Sequence, residues 1–181
     1  DITLVGSHPF YKPAVTFSIN KSDAVTSVSE SLKKDTMRLF DIKKDIHVVP
    51  NFIDLNKHIN EFTDCQRGMM AGDDEFIITH ISNMREVKQI PDVVKIFYNI
   101  QKELPAKLMM VGEGPEKEVA ENLVEELGIS DKVIFFGNSN EIDRILCFSD
   151  LFLLPSQTES FGLAALEAMA SGVPVISTNT G

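Results

Sequence analysis

Short apolar runs alternate with amphipathic helical segments along most of this chain, and that alternation constrains its fold more than any other feature. The C-terminal part contains five predicted strands: Glu75–Ile81, Lys107–Gly112, Val133–Phe136, Asp150–Leu154 and Pro174–Ser177. Between them apolar residues recur at helical spacing, and Pro91 stands where the first turn of a helix tolerates proline. Strands that alternate with helices build a parallel sheet with helices on both faces. The sequence therefore predicts an α/β fold with a doubly wound parallel sheet of the Rossmann type.

The first 50 residues predict part of a second domain of the same type. They contain a strand at Ala24–Val28, a helix that is capped by Ser29 and continues through Phe40, and a strand at Ile46–Val49. The polar stretch that follows is typical of an interdomain connection. The predicted division is 1–50 for the end of an N-terminal domain, 51–74 for the connection and 75–181 for a C-terminal domain. Because residues 1–50 hold few strands and no helix follows the last strand, both domains are expected to be incomplete.

Composition argues against several classes of function. With 43% hydrophobic and 24% charged residues and a mean hydropathy near zero, the chain is expected to be a soluble globular protein. A net charge of −10 argues against nucleic acid as a partner, since surplus Lys and Arg bind such partners. No apolar run approaches the roughly 20 residues that span a bilayer, and no signal peptide is visible. We therefore expect no membrane span and a cytoplasmic location.

The two cysteines, Cys65 and Cys147, lie far apart in the sequence. Neither has a second cysteine or a histidine at a metal-binding spacing. We therefore predict neither a zinc site nor a disulfide framework.

Two glutamates stand eight positions apart in Glu159–Glu167, just after the apolar run Leu151–Pro155. Glu159 falls where a predicted strand has ended and a helix begins, and Glu167 falls inside that helix. A helix N-terminus offers free N–H groups and partial positive charge to a phosphate, and carboxylates beside it can accept hydrogen bonds from ligand hydroxyls. The pattern is compatible with a sugar nucleotide. It is also compatible with a Glu159 that only caps the helix and a Glu167 that is solvated.

The stretch Glu159–Glu167, with Leu-Leu-Pro before it and Glu167–Ile176 after it, resembles the donor-site signature of the retaining family 4 glycosyltransferases. Three further stretches extend the resemblance over most of the chain: Pro50–Asp54, Val111–Pro115 and Val133–Gly137. It implies a GT-B fold, in which two Rossmann-like, doubly wound parallel sheets face a cleft. The C-terminal donor domain would then be mostly present here, and the N-terminal domain only partly.

The resemblance also implies roles for the residues of this signature. Glu167 would hydrogen-bond the ribose of UDP, and Glu159 would act at the donor sugar as one of the catalytic residues. The donor sugar and diphosphate would also contact the backbone of four residues: Ser160, Phe161, Gly162 and Leu163.

In most of the family, a basic pair five residues apart neutralises the leaving diphosphate after the strand that Ile77–Ile81 represents here. The first position of that pair is Asn83 in this chain. Arg85 and Lys88 are the available cations, and we assign the catalytic neutralisation of the diphosphate to them, with Asn83 beside them in the nucleotide site.

Weaker candidates lie at other strand ends. Gly137 and Asn138 are predicted to place backbone groups against uracil. Gly112 and Gly114 either approach the nucleotide or only form a tight strand-to-helix turn. His80, late in a strand, is predicted to be a half-buried histidine with satisfied hydrogen bonds rather than a catalyst.

Three stretches resemble a narrower branch of the family: His8–Val15, Phe17–Thr26 and His80–Lys88. They imply UDP-N-acetylglucosamine as donor, a small hydroxy acid as acceptor, and Asn20 and Lys21 on the acceptor side. The chain has no Asp-x-Asp, so metal-independent transfer without a cofactor is expected, and a homo-oligomer is compatible with the sequence. Two alternatives stay open: a family 4 transferase whose acceptor is another sugar or a lipid-linked glycan, and a non-catalytic module that binds a sugar nucleotide.

Overall fold

The computed structural model describes residues 5–6, 8–55 and 67–180, and the statements below concern these residues. They divide into two compact units. The first contains the described residues up to Phe52 together with Glu159–Phe161, and the second contains those of Ile53–Thr158 and Gly162–Thr180. Much of the predicted connection lies outside the described residues, and the boundaries at 50 and 74 remain predictions.

The described residues of the first unit include helices α1 (Tyr11–Lys21) and α2 (Glu30–Leu39) and a small parallel sheet of β1 (Val25–Ser27) and β2 (Ile46–Val48). The predicted cap of α2 is present, because Ser29 accepts a hydrogen bond from the backbone N–H of Leu32 at 3.1 Å. Helix α1 was not predicted. None of its residues is buried, so the apolar stripe that reveals a packed helix in a sequence is missing.

The second unit is a five-stranded parallel sheet with four helices between its strands. Its elements are β3 (Phe76–Ile81), α3 (Ile90–Glu103), β4 (Ala106–Val111), α4 (Lys117–Glu126), β5 (Val133–Gly137), α5 (Ile142–Cys147), β6 (Leu151–Leu154), α6 (Leu163–Ala170) and β7 (Val175–Ser177). Short 3₁₀ turns lie at Arg67–Met69, Glu86–Lys88 and Ser130–Lys132. Every pairing is parallel, in the order β5-β4-β3-β6-β7. The predicted α/β doubly wound fold is confirmed.

The sheet is covered on both faces at β4, where neighbouring residues point to opposite faces. In β4, Leu108 and Met110 belong to the core shared with α3 and α4, whereas Met109 belongs to a core on the α5 side. Phe97 of α3 is fully buried in the first core. Complete burial of such a side chain contributes roughly 1.5–3 kcal/mol to folding. Helix α6 packs through Ala165 and Ala168 against β6.

The order of the strands reverses between β3 and β6. From β3 the chain adds β4 and then β5 on one side, and it then crosses back to place β6 and β7 on the other side. In open parallel sheets, ligands bind outside the carboxyl ends of the strands at such a switch point. The fold therefore predicts a ligand site at the loops that follow β3 and β6.

At the amino ends of the strands, Arg67 links the start of β3 to the start of β6. Its guanidinium forms an ion pair with Asp150 at 2.8 Å, and the same carboxylate accepts the backbone N–H of Ile77 at 2.7 Å. Arg67 also donates to the carbonyl oxygen of Phe148 at 2.9 Å. These bonds align the two strands that flank the switch point.

Cys147, at the end of α5, is disulfide-bonded. The sequence indicated no disulfide framework, so this bond was not predicted. In the part of the chain that the structure describes, no helix has the length and apolar character needed to cross a bilayer.

Candidate functional site

Backbone hydrogen bonds connect the loops that follow β3, β4 and β5 at the carboxyl edge of the sheet. Ser82 donates its backbone N–H to the carbonyl oxygen of Val111 at 3.0 Å, and Gly112 donates to that of Gly137 at 2.8 Å. The N–H of Glu116 reaches the carbonyl oxygen of Met84 at 2.9 Å. These backbone bonds make the edge a connected surface rather than separate loops.

The loop after β3, which we call the cation loop (residues 82–88), carries the predicted basic residues. Asn83 and Arg85 are exposed and Lys88 is half-buried, but Met84 between the first two is fully buried in the core. Met84 also has a φ of 33°, which is rare for a residue with a side chain. The buried Met84 side chain anchors the loop while its neighbours remain at the surface.

The loop after β6 approaches the cation loop and then starts α6. The backbone N–H of Gln157 donates to the carbonyl oxygen of Val87 at 2.8 Å. Gly162 is the N-cap of α6 with a φ of 79°, and as a glycine it has no side chain with which to cap the helix. The first hydrogen bond within the helix runs from the N–H of Leu166 to the carbonyl oxygen of Gly162. The N–H groups of the first turn therefore have no acceptor within the helix. This N-terminus has the partial positive charge that favours a phosphate.

The helix begins later than expected. Its N-cap is Gly162, so Glu159 lies in the preceding loop, which corrects its predicted place at the helix start. The N-cap position that the simpler alternative gave to Glu159 is likewise occupied by Gly162. Glu167 lies inside α6 as predicted and is half-buried.

Most of the predicted site residues fall at this one edge of the second unit. They are Asn83, Arg85, Lys88, Gly137, Asn138, Gly162, Leu163 and Glu167. The first three follow β3 and the last three follow β6, which are the two strands that flank the switch point. The structure thus brings to one edge residues from widely separated parts of the chain, while their roles remain predictions.

Close contact with the backbone of the cation loop explains why positions 112 and 114 are glycines. A Cβ added at Gly112 would lie 1.9 Å from the carbonyl oxygen of Ser82, and one at Gly114 would lie 2.2 Å from that of Asn83. Both residues have φ values in the range that favours glycine. Of the two readings left open, close packing in the turn therefore accounts for both glycines.

The end of β5 adds Gly137, which has a φ of 68°, and the exposed Asn138. Beside them Glu113 forms an ion pair with Lys117 at 2.7 Å. The hydrogen bond that Lys117 donates to the Glu113 carboxylate raises the pKa of Lys117 above its ordinary value. The sequence did not predict this pair, although a Glu and a Lys four residues apart at a helix start are a recognisable pattern.

His80 is fully buried, which corrects the prediction that it is half-buried. Both ring nitrogens have partners: Nδ1 lies 2.8 Å from the carbonyl oxygen of Leu153, and Nε2 lies 2.8 Å from the hydroxyl of Ser82. The prediction of a histidine with satisfied hydrogen bonds is confirmed. Its link to the cation loop was not predicted.

The remaining predicted residues belong to the first unit. Glu159 and Phe161 are half-buried and Ser160 is exposed, and within this unit the carbonyl oxygen of Ser160 accepts the hydroxyl of Ser29 at 2.7 Å. The side-chain amide of Asn20 is engaged by backbone, since it donates to Asp41 and accepts from Lys43. Lys21 is exposed at the end of α1, with its Nζ 5.9 Å from the centroid of the Phe17 ring. The acceptor-side roles of Asn20 and Lys21 remain predictions.

A cavity of about 560 Å³ lies beside α3, where it is lined in part by Gln89, Lys95, Ser156 and Thr178. None of the predicted donor-site residues lines it. Within the described ranges, no group of three or more His, Cys, Asp or Glu could hold a metal ion.

The parallel sheet, its switch point and the loops at its carboxyl edge are those of an α/β unit of the GT-B class. Residues 67–181 match the family described as glycosyl transferases group 1, and residues 2–57 match glycosyltransferase family 4. The chain belongs to the group 1 glycosyl transferases.

Curated relatives cover all or nearly all of the chain. It is 44% identical over 182 residues to the N-acetyl-alpha-D-glucosaminyl L-malate synthase of Bacillus anthracis, which is 100% of this chain and 48% of the relative. It is 31% identical to an uncharacterised glycosyltransferase of Methanocaldococcus jannaschii, over 91% of this chain and 44% of that protein. The chain therefore spans about half the length of these relatives.

Solved structures share the fold at low identity. A sucrose-phosphate synthase from Thermosynechococcus elongatus superposes with a TM-score of 0.83 at 23% identity, over 96% of this chain and 45% of that one. The Anabaena protein HepE, in complex with UDP and glucose, superposes with a TM-score of 0.84 at 19% identity, over 98% of this chain and 51% of that one. At these identities the likeness concerns the fold alone.

Proposed function

We propose that the protein is a retaining glycosyltransferase that moves N-acetylglucosamine from UDP-N-acetylglucosamine to the hydroxyl of L-malate. The observation that carries this proposal is the 44% identity, over the whole chain, to a relative named for that glucosaminyl malate product. The reaction would be the first step of bacillithiol biosynthesis. A reaction of this kind needs no cofactor, and we place it in the cytoplasm.

The geometry of the second unit supports the donor side of this proposal. Arg85 and Lys88 of the cation loop would neutralise the diphosphate, and the N-terminus of α6 would add its backbone N–H groups. Glu167, in the same helix, would accept hydrogen bonds from the ribose. Gly137 and Asn138 would contact uracil.

The site must allow UDP to leave while positive charge develops on the sugar ring. Cations and helix N–H groups directed at the diphosphate stabilise the charge that grows there, and they should supply most of the rate enhancement. Glu159 and Glu167 are assigned to ligand hydroxyls, which leaves no carboxylate as a nucleophile for double displacement. We therefore propose that the bond to malate forms on the face from which UDP departs. A phosphate oxygen of the leaving UDP takes the proton of the malate hydroxyl.

An assay of UDP release by the full-length protein tests the proposal. UDP-N-acetylglucosamine should support rapid release with L-malate, and slow release with a panel of sugars, with diacylglycerol or without acceptor. Release that depends on a sugar or lipid instead of malate would leave a family 4 transferase with another acceptor. Tight UDP binding without release under any condition would indicate a non-catalytic sugar-nucleotide module.

A further inference from the structure

His80 joins the two strands between which the sheet reverses its order. The backbone ladder of β3 and β6 includes the pair Thr79 and Phe152. One residue further along each strand, Nδ1 of His80 lies 2.8 Å from the carbonyl oxygen of Leu153. The imidazole therefore connects the strands beside the switch point, next to the start of the cation loop.

The hydrogen bonds of His80 have a defined direction. A carbonyl oxygen can only accept, so Nδ1 carries a proton and donates to Leu153. In a neutral ring Nε2 is then an acceptor, and it lies 2.8 Å from the hydroxyl oxygen of Ser82. The same oxygen accepts the backbone N–H of Met84 at 3.2 Å. The Ser82 hydroxyl thus donates to His80 while it accepts from Met84.

This relay holds a residue whose backbone is strained. Met84 has a φ of 33°, and a side chain at positive φ persists only where the surroundings impose it. Two bonds hold its peptide groups, since its N–H donates to Ser82 and its carbonyl oxygen accepts from Glu116 at 2.9 Å. Arg85 follows directly in the chain, so the conformation at Met84 sets where the rest of the cation loop begins.

We infer that His80, acting through Ser82, is a positioning residue for the cation loop. His80 is buried, and it acts on the backbone of Met84 rather than on a ligand. By ordering the loop, it would hold Arg85 and Lys88 where the diphosphate needs them. The inference rests on the proposed function for the role of these cations, but the ordering of the loop can be measured without any substrate.

The neighbouring residue supplies a matched control. Thr79 is also fully buried in β3, and its hydroxyl lies 2.6 Å from the hydroxyl of Ser149, away from the cation loop. Thr79→Val therefore removes a buried hydrogen bond from the same strand without touching Ser82. Ser82→Ala and His80→Phe each remove a bond of the relay.

The experiment compares these variants in the full-length protein by amide hydrogen exchange and by kcat with UDP-N-acetylglucosamine and malate. Ser82→Ala and His80→Phe should speed exchange at residues 83–88. They should lower kcat by about 10- to 100-fold, the scale expected when catalytic groups are misplaced by around 1 Å. Thr79→Val should leave exchange in the cation loop unchanged and alter kcat by less than about threefold.

Unchanged exchange at residues 83–88 in Ser82→Ala would overturn the inference, whatever the activity. So would an equal loss of loop protection in Thr79→Val, because the effect would then follow from any lost hydrogen bond in β3. If His80→Phe fails to fold, Ser82→Ala still decides, since Ser82 is only half-buried. If the parent protein transfers nothing to malate while the exchange contrast holds, the proposed function fails and the positioning of the loop stands.

Discussion

The carbonyl oxygen of Ser82 occupies the space that any side chain at Gly112 would need. A Cβ at position 112 would lie 1.9 Å from that oxygen, and the φ of Gly112 is 118°. The neighbouring Gly114 would meet the carbonyl oxygens of Asn83 and Met84 in the same way. The turn after β4 and the cation loop are therefore packed backbone against backbone.

Gly112→Ala should destabilise the protein far more than an ordinary substitution at a positive φ. The added Cβ cannot fit without moving the cation loop, so we expect a loss above about 4 kcal/mol, the range of exceptional mutations. Gly128→Ala is the matched control, because Gly128 has a φ of 67° but nothing lies within 4 Å of its added Cβ. It should cost only about 1–2 kcal/mol. Urea unfolding measures both, and equal losses would contradict the packing argument.

Glu167→Gln should chiefly raise the donor KM. Its proposed partner, the ribose, is present in both the ground state and the transition state, so weakening a charge-assisted hydrogen bond should cost about 1.5–3 kcal/mol of uniform binding. Steady-state kinetics with UDP-N-acetylglucosamine test this. Glu125→Gln, at an exposed position of α4, is the control and should leave KM unchanged. If Glu167→Gln also left the donor KM unchanged, the ribose role would have to be abandoned.

Lys88→Ala should act mainly on kcat. Negative charge on the leaving diphosphate grows as the sugar bond breaks, and loss of one preorganised electrostatic group costs about 2.7–4 kcal/mol of the barrier. Lys95→Ala is the control, because Lys95 is exposed and its contact with Asp92 is a surface ion pair. Single-turnover kinetics would separate the chemical step from product release. A parent-like rate for Lys88→Ala would move the leaving-group role to another residue.

Activity of the intact enzyme should survive EDTA. The sequence has no Asp-x-Asp to hold a divalent cation on the sugar nucleotide. Arg85 and Lys88 of the cation loop would instead supply the positive charge that neutralises the diphosphate. UDP release is measured before and after chelation, with Mg²⁺ or Mn²⁺ added back to a parallel sample. Activity that disappears with EDTA and returns with either metal would overturn the metal-independent mechanism.

The 181-residue chain by itself should bind UDP weakly and transfer nothing to malate. The second unit carries the proposed donor residues, but the chain spans about half the length of its relatives, and the acceptor side is expected to need more of the N-terminal domain. Ile176 of β7 is 56% exposed at the edge of the sheet, so self-association is also expected. Calorimetry with UDP, the transfer assay and sedimentation test these three points. Transfer by this chain alone would place the acceptor site within these residues.

Local sequence patterns predicted most of the fold. The apolar runs that became β3, β4 and β6 are continuous because a parallel strand in the middle of a sheet is buried on both faces. The cap of α2 was predictable because Ser29 places a hydroxyl at the start of the helix. The same reasoning missed α1, which buries none of its residues. It also placed the start of α6 at Glu159, whereas the N-cap of the helix is Gly162, whose backbone is left-handed.

The order of the strands, the helices between β3 and β7 and the chemical groups at the strand ends could be predicted, because each depends on residues close together in the chain. Three relationships emerged only from the three-dimensional packing: Gly112 makes room for Ser82, Cys147 is disulfide-bonded, and His80 links Leu153 to the cation loop. These relationships join residues that lie far apart in the sequence or on different strands. No local pattern encodes them, since they arise only when the sheet places one backbone against another.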